Sequence, residues 1–432
     1  MSLVVVLAIV AAIVLGYLTR INIGLFAIAF AYIIGSFVMG MKPSEVIAMW
    51  PLKIFFVIFS VCLFYSFAMV NGTLEKLAGH LLYLCRGMPW LLPYAIFLTA
   101  TIIAAMGAGY YTVLAFMAPI TLILCKRTGM DLILGGMAVN YGALGGANFM
   151  SSQSGIIFRG LMTNAGLSDN AAFVNSISIF LATFLLPVAV ITVLLFLGGR
   201  HRQIGGLGAD FARPEPLDQR QKATLWLTLV MMAIVLAGPL AHLAMPANAT
   251  ITYINSKIDI GLIASVFSVI ALMLKLGDER KAITSLPWPT LIMICGMGML
   301  ISVAIKAGTI NELASWIGDT IPAPLVPLSF GVVAAIMSLF ASTLGVVTPA
   351  LFPMVPPLAA QFGLSPMLMF TAIVVGAQAT SISPFSSGGS LILGSAPDDA
   401  TRSGLFTRLL LRAAPIGFVA AMLVNVALTF LI

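Results

Sequence analysis

Residues 105–160 and 339–394 of this chain align without a gap at a fixed offset of 234, and Pro119/Pro353, Gly129/Gly363, Gly142/Gly376, Gly155/Gly389 and Gly160/Gly394 coincide. At this chain's glycine and proline frequencies, fewer than one such coincidence is expected by chance, so the register reads as an internal repeat. In each copy an apolar arm reaches a small, polar turn (Gly107 to Thr112; Ala341 to Val346) and continues as a second apolar arm through the shared proline. A long apolar segment follows, broken by Gly, Ser and Asn at Gly145 to Gly155 and by Thr, Ser and Gly at Ala379 to Gly389. Interrupted hydrophobic segments at corresponding places in two halves point to a transporter's binding site.

The chain carries 61% apolar and 8% charged residues, against roughly a quarter charged in a soluble globule. It therefore reads as an all-α polytopic membrane protein. About ten apolar segments reach the roughly 17 to 25 residues that a spanning helix needs, and no ten-residue alternation of the barrel kind is present. The first, Leu3 to Leu18, has no basic residue before it and no clear cleavage site, so it reads as a retained helix. A net charge of +7 invites a nucleic-acid reading, but the basic residues are scattered over loops, and positive-inside topology accounts for them without a nucleic-acid partner. Cys62, Cys85, Cys125 and Cys295 lack CxxC spacing and indicate neither a disulfide framework nor a zinc site.

The two halves, 1–197 and 224–432, read alike on either side of a polar linker, 198–223. Each has two spanning helices (3–18 and 22–40; 224–243 and 259–275), a third (52–70; 290–306) and a short amphipathic piece (74–87; 310–320). Then come a two-armed segment (90–126; 324–359), a broken helix (132–160; 367–394) and a last span (172–197; 405–431). If the two-armed segment is a re-entrant hairpin, each half crosses five times, and an odd count makes the second half an inverted repeat of the first. A cytoplasmic linker puts sixteen basic residues on that side and only Lys42, Lys53, Arg159, Lys257 and Lys306 on the other. Lys126-Arg127 after the first hairpin matches the uncharged Ala360-Gln361 after the second, so one hairpin opens inward and the other outward.

Non-helical backbone at membrane depth is tolerated only where it is buried in protein or lines a wet cavity. Half-helix N-termini offer free N–H groups to an anion, while unwound carbonyls and hydroxyls suit a cation such as sodium. Asn148, Ser151, Ser152, Gln153 and Ser154 in one break and Thr380, Ser381, Ser383, Ser386 and Ser387 in the other supply hydroxyls and amides without fixed charge. A single Gly or Ser would read as a close-packing residue; the paired clusters favour a site. All fourteen acidic residues fall in loops, in the linker, on the amphipathic pieces or at helix ends, which disfavours a proton relay and leaves sodium coupling open. Arg159 has no counterpart in the second copy, where Leu393 stands, and reads as a side chain snorkelling to the interface more readily than as an anion attractor. Tyr110 and Tyr111 belong either to the substrate cavity or to its wall. His80, His201 and His242 are not placed to serve a buried nucleophile or metal, so an enzyme is not expected. Asp398-Asp399 reads as a helix N-cap before Arg402.

These residues resemble the ion transporter superfamily, and within it the MatC-type dicarboxylate carriers. The likeness covers nearly the whole chain and is most specific at Asn22-Ile23-Gly24-Leu25, Asn71-Gly72-Thr73-Leu74, the Gly145 to Gly155 break and Ser383-Pro384-Phe385-Ser386. The related divalent anion/sodium symporters imply two inverted repeats, an interfacial helix before each re-entrant hairpin, homodimers and an elevator-like movement. Their Ser-Asn-Thr tip motif is not kept: Gly109-Tyr110-Tyr111 and Thr343-Leu344-Gly345 stand in its place. By that resemblance the substrate site comprises Gly109, Tyr110, Tyr111, Asn148, Ser152, Thr343, Gly345, Ser383, Ser386 and Ser387. Sodium falls to Gly107, Gly146, Ser151, Ser154, Ser342, Thr380 and Ser381. The expectation is a multi-pass carrier of the bacterial inner membrane that imports a malonate-like or four-carbon dicarboxylate with sodium and without a cofactor. The alternatives are the large subunit of a tripartite periplasmic carrier, an oxyanion efflux permease and a membrane-embedded enzyme.

Overall fold

Without water to satisfy backbone groups, an apolar run in lipid must form its hydrogen bonds within itself, and a helix does so. The computed structural model describes residues 2–84, 88–197, 204–205, 214–339 and 342–430, and every regular element in them is helical. Cys85, Arg86, Ala341 and linker residues 198–203 and 206–213 lie outside the described residues. Eight described helices are long and apolar enough to cross a membrane, or nine if Ala249–Lys257 and Ile260–Met273, bent by 62°, form one span. That is fewer than the ten or so apolar runs of the sequence, because several runs form helices of only 10 to 17 residues.

The first half opens with Ser2–Thr19 and Ile23–Tyr32, whose N-cap Asn22 accepts from the Gly24 N–H, and a π-turn, Ile33–Val38, extends the second. Leu52–Val70 follows, then Thr73–Leu84, which buries Leu74, Ala78 and Leu82, spaced by four along one face. The second half runs Gln219–Ala244, Ile260–Met273, Trp288–Lys306 and Thr309–Thr320. The second helix of each half packs on the third helix of the other. A Cβ on Gly296 would lie 2.2 Å from the Gly24 carbonyl oxygen, and one on Gly261 would lie 3.1 Å from Val57 Cα. Bare glycine lets these backbones meet, which is how helices associate where lipid removes the hydrophobic drive.

The hairpins and broken helices pack the same way. The first hairpin joins Leu92–Ile103 to Tyr110–Thr128 through a π-turn, Ala104–Ala108. At its tip Gly107 and Gly109 have φ of 94° and 73°, which a side chain would strain, and a Cβ on Gly107 would overlap the Tyr65 ring. The second hairpin pairs Val326–Ser338 with a return arm that starts as a π-turn, Thr343–Val347, and ends as Val355–Phe362. Leu132–Ala147 and Gln153–Asn164 form one broken helix, Pro366–Ala379 and Ser387–Gly394 the other. Each lies hard against its hairpin, with Gly146 at the Thr101 carbonyl and Gly376 at the Gly331 carbonyl. Asp169–Phe196 ends the first half; Asp399–Arg408, continued by a π-turn into Ala414–Thr429, ends the second. Asp398 caps the latter, accepting from the Thr401 N–H, and Asp399 pairs with Arg402 at 3.3 Å.

Candidate functional site at the helix breaks

The tips and breaks meet around a small cavity of about 40 Å3. Tyr110 and Tyr111 of the first tip, Ser342 and Thr343 of the second, Ser154 of the first broken helix, and Ser381, Ser386 and Ser387 of the second line it. Among the described residues no charged side chain does.

Two half-helices begin at this cavity with open N-termini. Tyr110–Thr128 starts after Gly109 and Gln153–Asn164 after Ser152, and neither has a side-chain cap. Their first N–H groups, at the positive end of the helix dipole, have no intrahelical acceptor. The second half closes its own ends. Ser342 Oγ accepts from the Gly345 N–H at 3.2 Å, and Ser386 Oγ accepts from the Gly389 N–H at 3.1 Å. Ser386 Oγ also donates to the Ser383 carbonyl at 2.7 Å and approaches the Ser381 carbonyl. The first half thus presents donors and the second hydroxyls and carbonyls.

Buried side chains fix this geometry. Tyr110 Oη donates to Asn140 Oδ1 at 2.7 Å, Asn140 Nδ2 donates to Ser381 Oγ at 3.1 Å, and Ser381 Oγ donates to the Gln378 carbonyl at 2.7 Å. One relay ties the first tip to the second break. Gly388 makes room for it, since a Cβ there would strike the Tyr110 hydroxyl. The breaks are tied directly as well: the amides of Asn148 and Gln378 exchange two hydrogen bonds of 3.0 Å.

Of the residues expected from the sequence, Gly109, Asn148, Ser152, Gly345 and Ser383 do not line the cavity, nor do Gly107, Gly146, Ser151 and Thr380. Ser152 Oγ donates to the Ala104 carbonyl at 2.6 Å and Thr380 Oγ1 to the Ala335 carbonyl at 2.8 Å, so both brace a break against its hairpin. Gly345 sits against Met293. Ser151 Oγ is buried without a hydrogen-bond partner, and its carbonyl accepts from Tyr65 Oη at 3.3 Å. Sequence reasoning missed Asn140 and Gln378, which lie inside apolar runs next to the breaks. The available signal was an amide at membrane depth. Among the described residues no group of three His, Cys, Asp or Glu side chains could hold a metal ion.

Residues 1–147 match the family model of the dicarboxylate carrier protein MatC N-terminus. No curated protein matches the sequence. Among solved structures, the YdaH transporter of Alcanivorax borkumensis, described as having an unusual topology, is 18% identical with a TM-score of 0.61 over 89% of this chain and 86% of its own. MtrF of Neisseria gonorrhoeae, presented as illuminating a class of antimetabolite efflux pumps, is 14% identical with a TM-score of 0.57 over 91% of this chain and 83% of its own. These matches support a multi-pass membrane transporter rather than an enzyme: the first third of the chain is similar to MatC-type dicarboxylate carriers, and the fold is that of solved transporters.

Proposed function

We propose that this chain is a secondary carrier of the bacterial inner membrane that imports a small dicarboxylate of the malonate or four-carbon class together with sodium. In this reading it works as a homodimer of two inverted repeats, by an elevator-like movement of the tips and breaks. The observation that carries it is the uncharged cavity at which two uncapped half-helix N-termini face serine and threonine hydroxyls. A dianion is costly to desolvate, and free N–H groups, hydroxyls and bound cations answer its charge. The unpartnered Ser151 hydroxyl, among the carbonyls of the first break, fits a neutral oxygen ligand for sodium. About 40 Å3 is well below the roughly 300 to 1,000 Å3 of small-molecule sites, so the tips part to admit a dicarboxylate.

The test is uptake of radiolabelled malonate and succinate by the purified chain alone in proteoliposomes. An inward sodium gradient is expected to drive accumulation. A hydrogen bond to a charged group contributes about 1.5 to 3 kcal/mol, so Ser387→Ala, which removes a cavity-lining hydroxyl not committed to a bond among the described residues, is expected to weaken binding roughly ten- to a hundredfold. Accumulation that needs only a proton gradient and ignores sodium rejects the coupling; a requirement for a separate solute-binding protein favours the tripartite alternative.

A further inference from the structure

A second, larger cavity of about 490 Å3 lies beside the first broken helix. Ile156, Arg159, Gly160 and Thr163, at positions i, i+3, i+4 and i+7 of Gln153–Asn164, share the helical face that lines it, and Ser154 of the tip cavity is not among them. The opposite walls come from the second half, at Pro239, His242, Asn255 and Ile260. Buried Val57, Ile156, Phe173 and Ile260 make an apolar floor, while Lys53 and Asp169 on the rim are 62% and 69% exposed.

The charges here are unequally used. Lys53 Nζ pairs with Asp169 at 3.4 Å, and Asp259 Oδ1 accepts from the Leu262 N–H at 2.9 Å as a helix cap. Arg159 lies 5.1 Å above the Phe173 ring centroid and, among the described residues, has neither a hydrogen-bond nor an ion-pair partner. A guanidinium held over an aromatic face keeps its planar fork of donors free, in the geometry that takes a carboxylate two-handed.

We propose that this cavity binds a water-soluble organic carboxylate with an apolar body, the carboxylate on Arg159 and the hydrocarbon against Phe173 and Ile156. The volume falls within the roughly 300 to 1,000 Å3 of small-molecule sites. The site is separate from the tip cavity and stands whether or not the transport reading holds.

Benzoate is the probe, titrated calorimetrically into the detergent-solubilised full chain. Saturable binding of one benzoate per chain is expected, weakened roughly ten- to a hundredfold by Arg159→Gln. Arg159→Lys, which keeps the charge but loses the fork, is expected to fall between, and Arg402→Gln, a charge change at an exposed position, to leave binding unchanged. Phe173→Leu is expected to weaken binding with Arg159 intact, which separates loss of the site from misfolding of the arginine variants. Absence of saturable binding in the wild type, or equal affinity in Arg159→Gln, overturns the proposal. Competitive displacement of benzoate by phosphatidylglycerol in nanodiscs also overturns it and makes this a lipid site.

Discussion

Asn148 and Gln378 exchange two buried amide hydrogen bonds, and Asn148 Nδ2 also donates to Thr183 Oγ1 at 2.9 Å. Removing one partner leaves a buried polar atom of the other unsatisfied at about 1 to 3 kcal/mol, whereas removing both leaves an apolar contact. Asn148→Leu and Gln378→Leu are therefore each expected to lower the melting temperature in detergent, and the double variant to lose less than the sum. Strict additivity would mean that the two amides do not act as a pair. Neither the pair nor the Tyr110–Asn140–Ser381 relay was legible in the sequence. A lone amide in an apolar run is indistinguishable from ordinary helix-packing glue until its partner, more than two hundred residues away, is in view. Ser152 shows the converse: it stands in the right cluster, but its hydroxyl turns to the hairpin backbone.

At the scale of elements, the apolar runs were legible because length and hydropathy determine a helix in lipid; the run at 52–70 is the helix Leu52–Val70. The short helices Pro43–Ala48, Ala249–Lys257 and Glu279–Thr284 were not, being too short or too polar to carry an apolar period. Capping is likewise half hidden, since Ser386 announces a cap by its type but nothing in Tyr110 announces an open end. One junction between elements is electrostatic. Lys126, at the end of the first hairpin, donates to Asp398, the cap of Asp399–Arg408. That bond, together with the Thr401 N–H, holds the Asp398 carboxyl well below the usual carboxylate range. A depressed folded value means that the contribution is present above the unfolded value and is lost as pH falls through the folded one. Asp398→Asn is expected to melt lower than the wild type at pH 7, with the difference narrowing below about pH 4 and in high salt. A difference that widens on acidification would contradict the assignment.

Over the whole molecule the ion pairs segregate. Lys53–Asp169 and Lys306–Glu45 use basic residues from one side of the charge count; Lys76–Glu215, Lys126–Asp398 and Arg402–Asp399 use residues from the other. The positive-inside reading assigns these two sets to opposite membrane faces. Single cysteines at Arg127 and Ala360, both exposed after equivalent hairpins, test that polarity. An impermeant thiol reagent is expected to reach Ala360→Cys from outside intact cells and Arg127→Cys only after permeabilisation; equal labelling would remove the inverted arrangement. Thr128, the neighbouring choice, is buried and would report nothing. The tip cavity bears on the membrane itself. Its lining of hydroxyls, amides and aromatic rings carries no charge among the described residues. The membrane potential, worth about 2.3 kcal/mol per elementary charge per 100 mV, therefore acts on whatever charge is bound there and not on the side chains that line it.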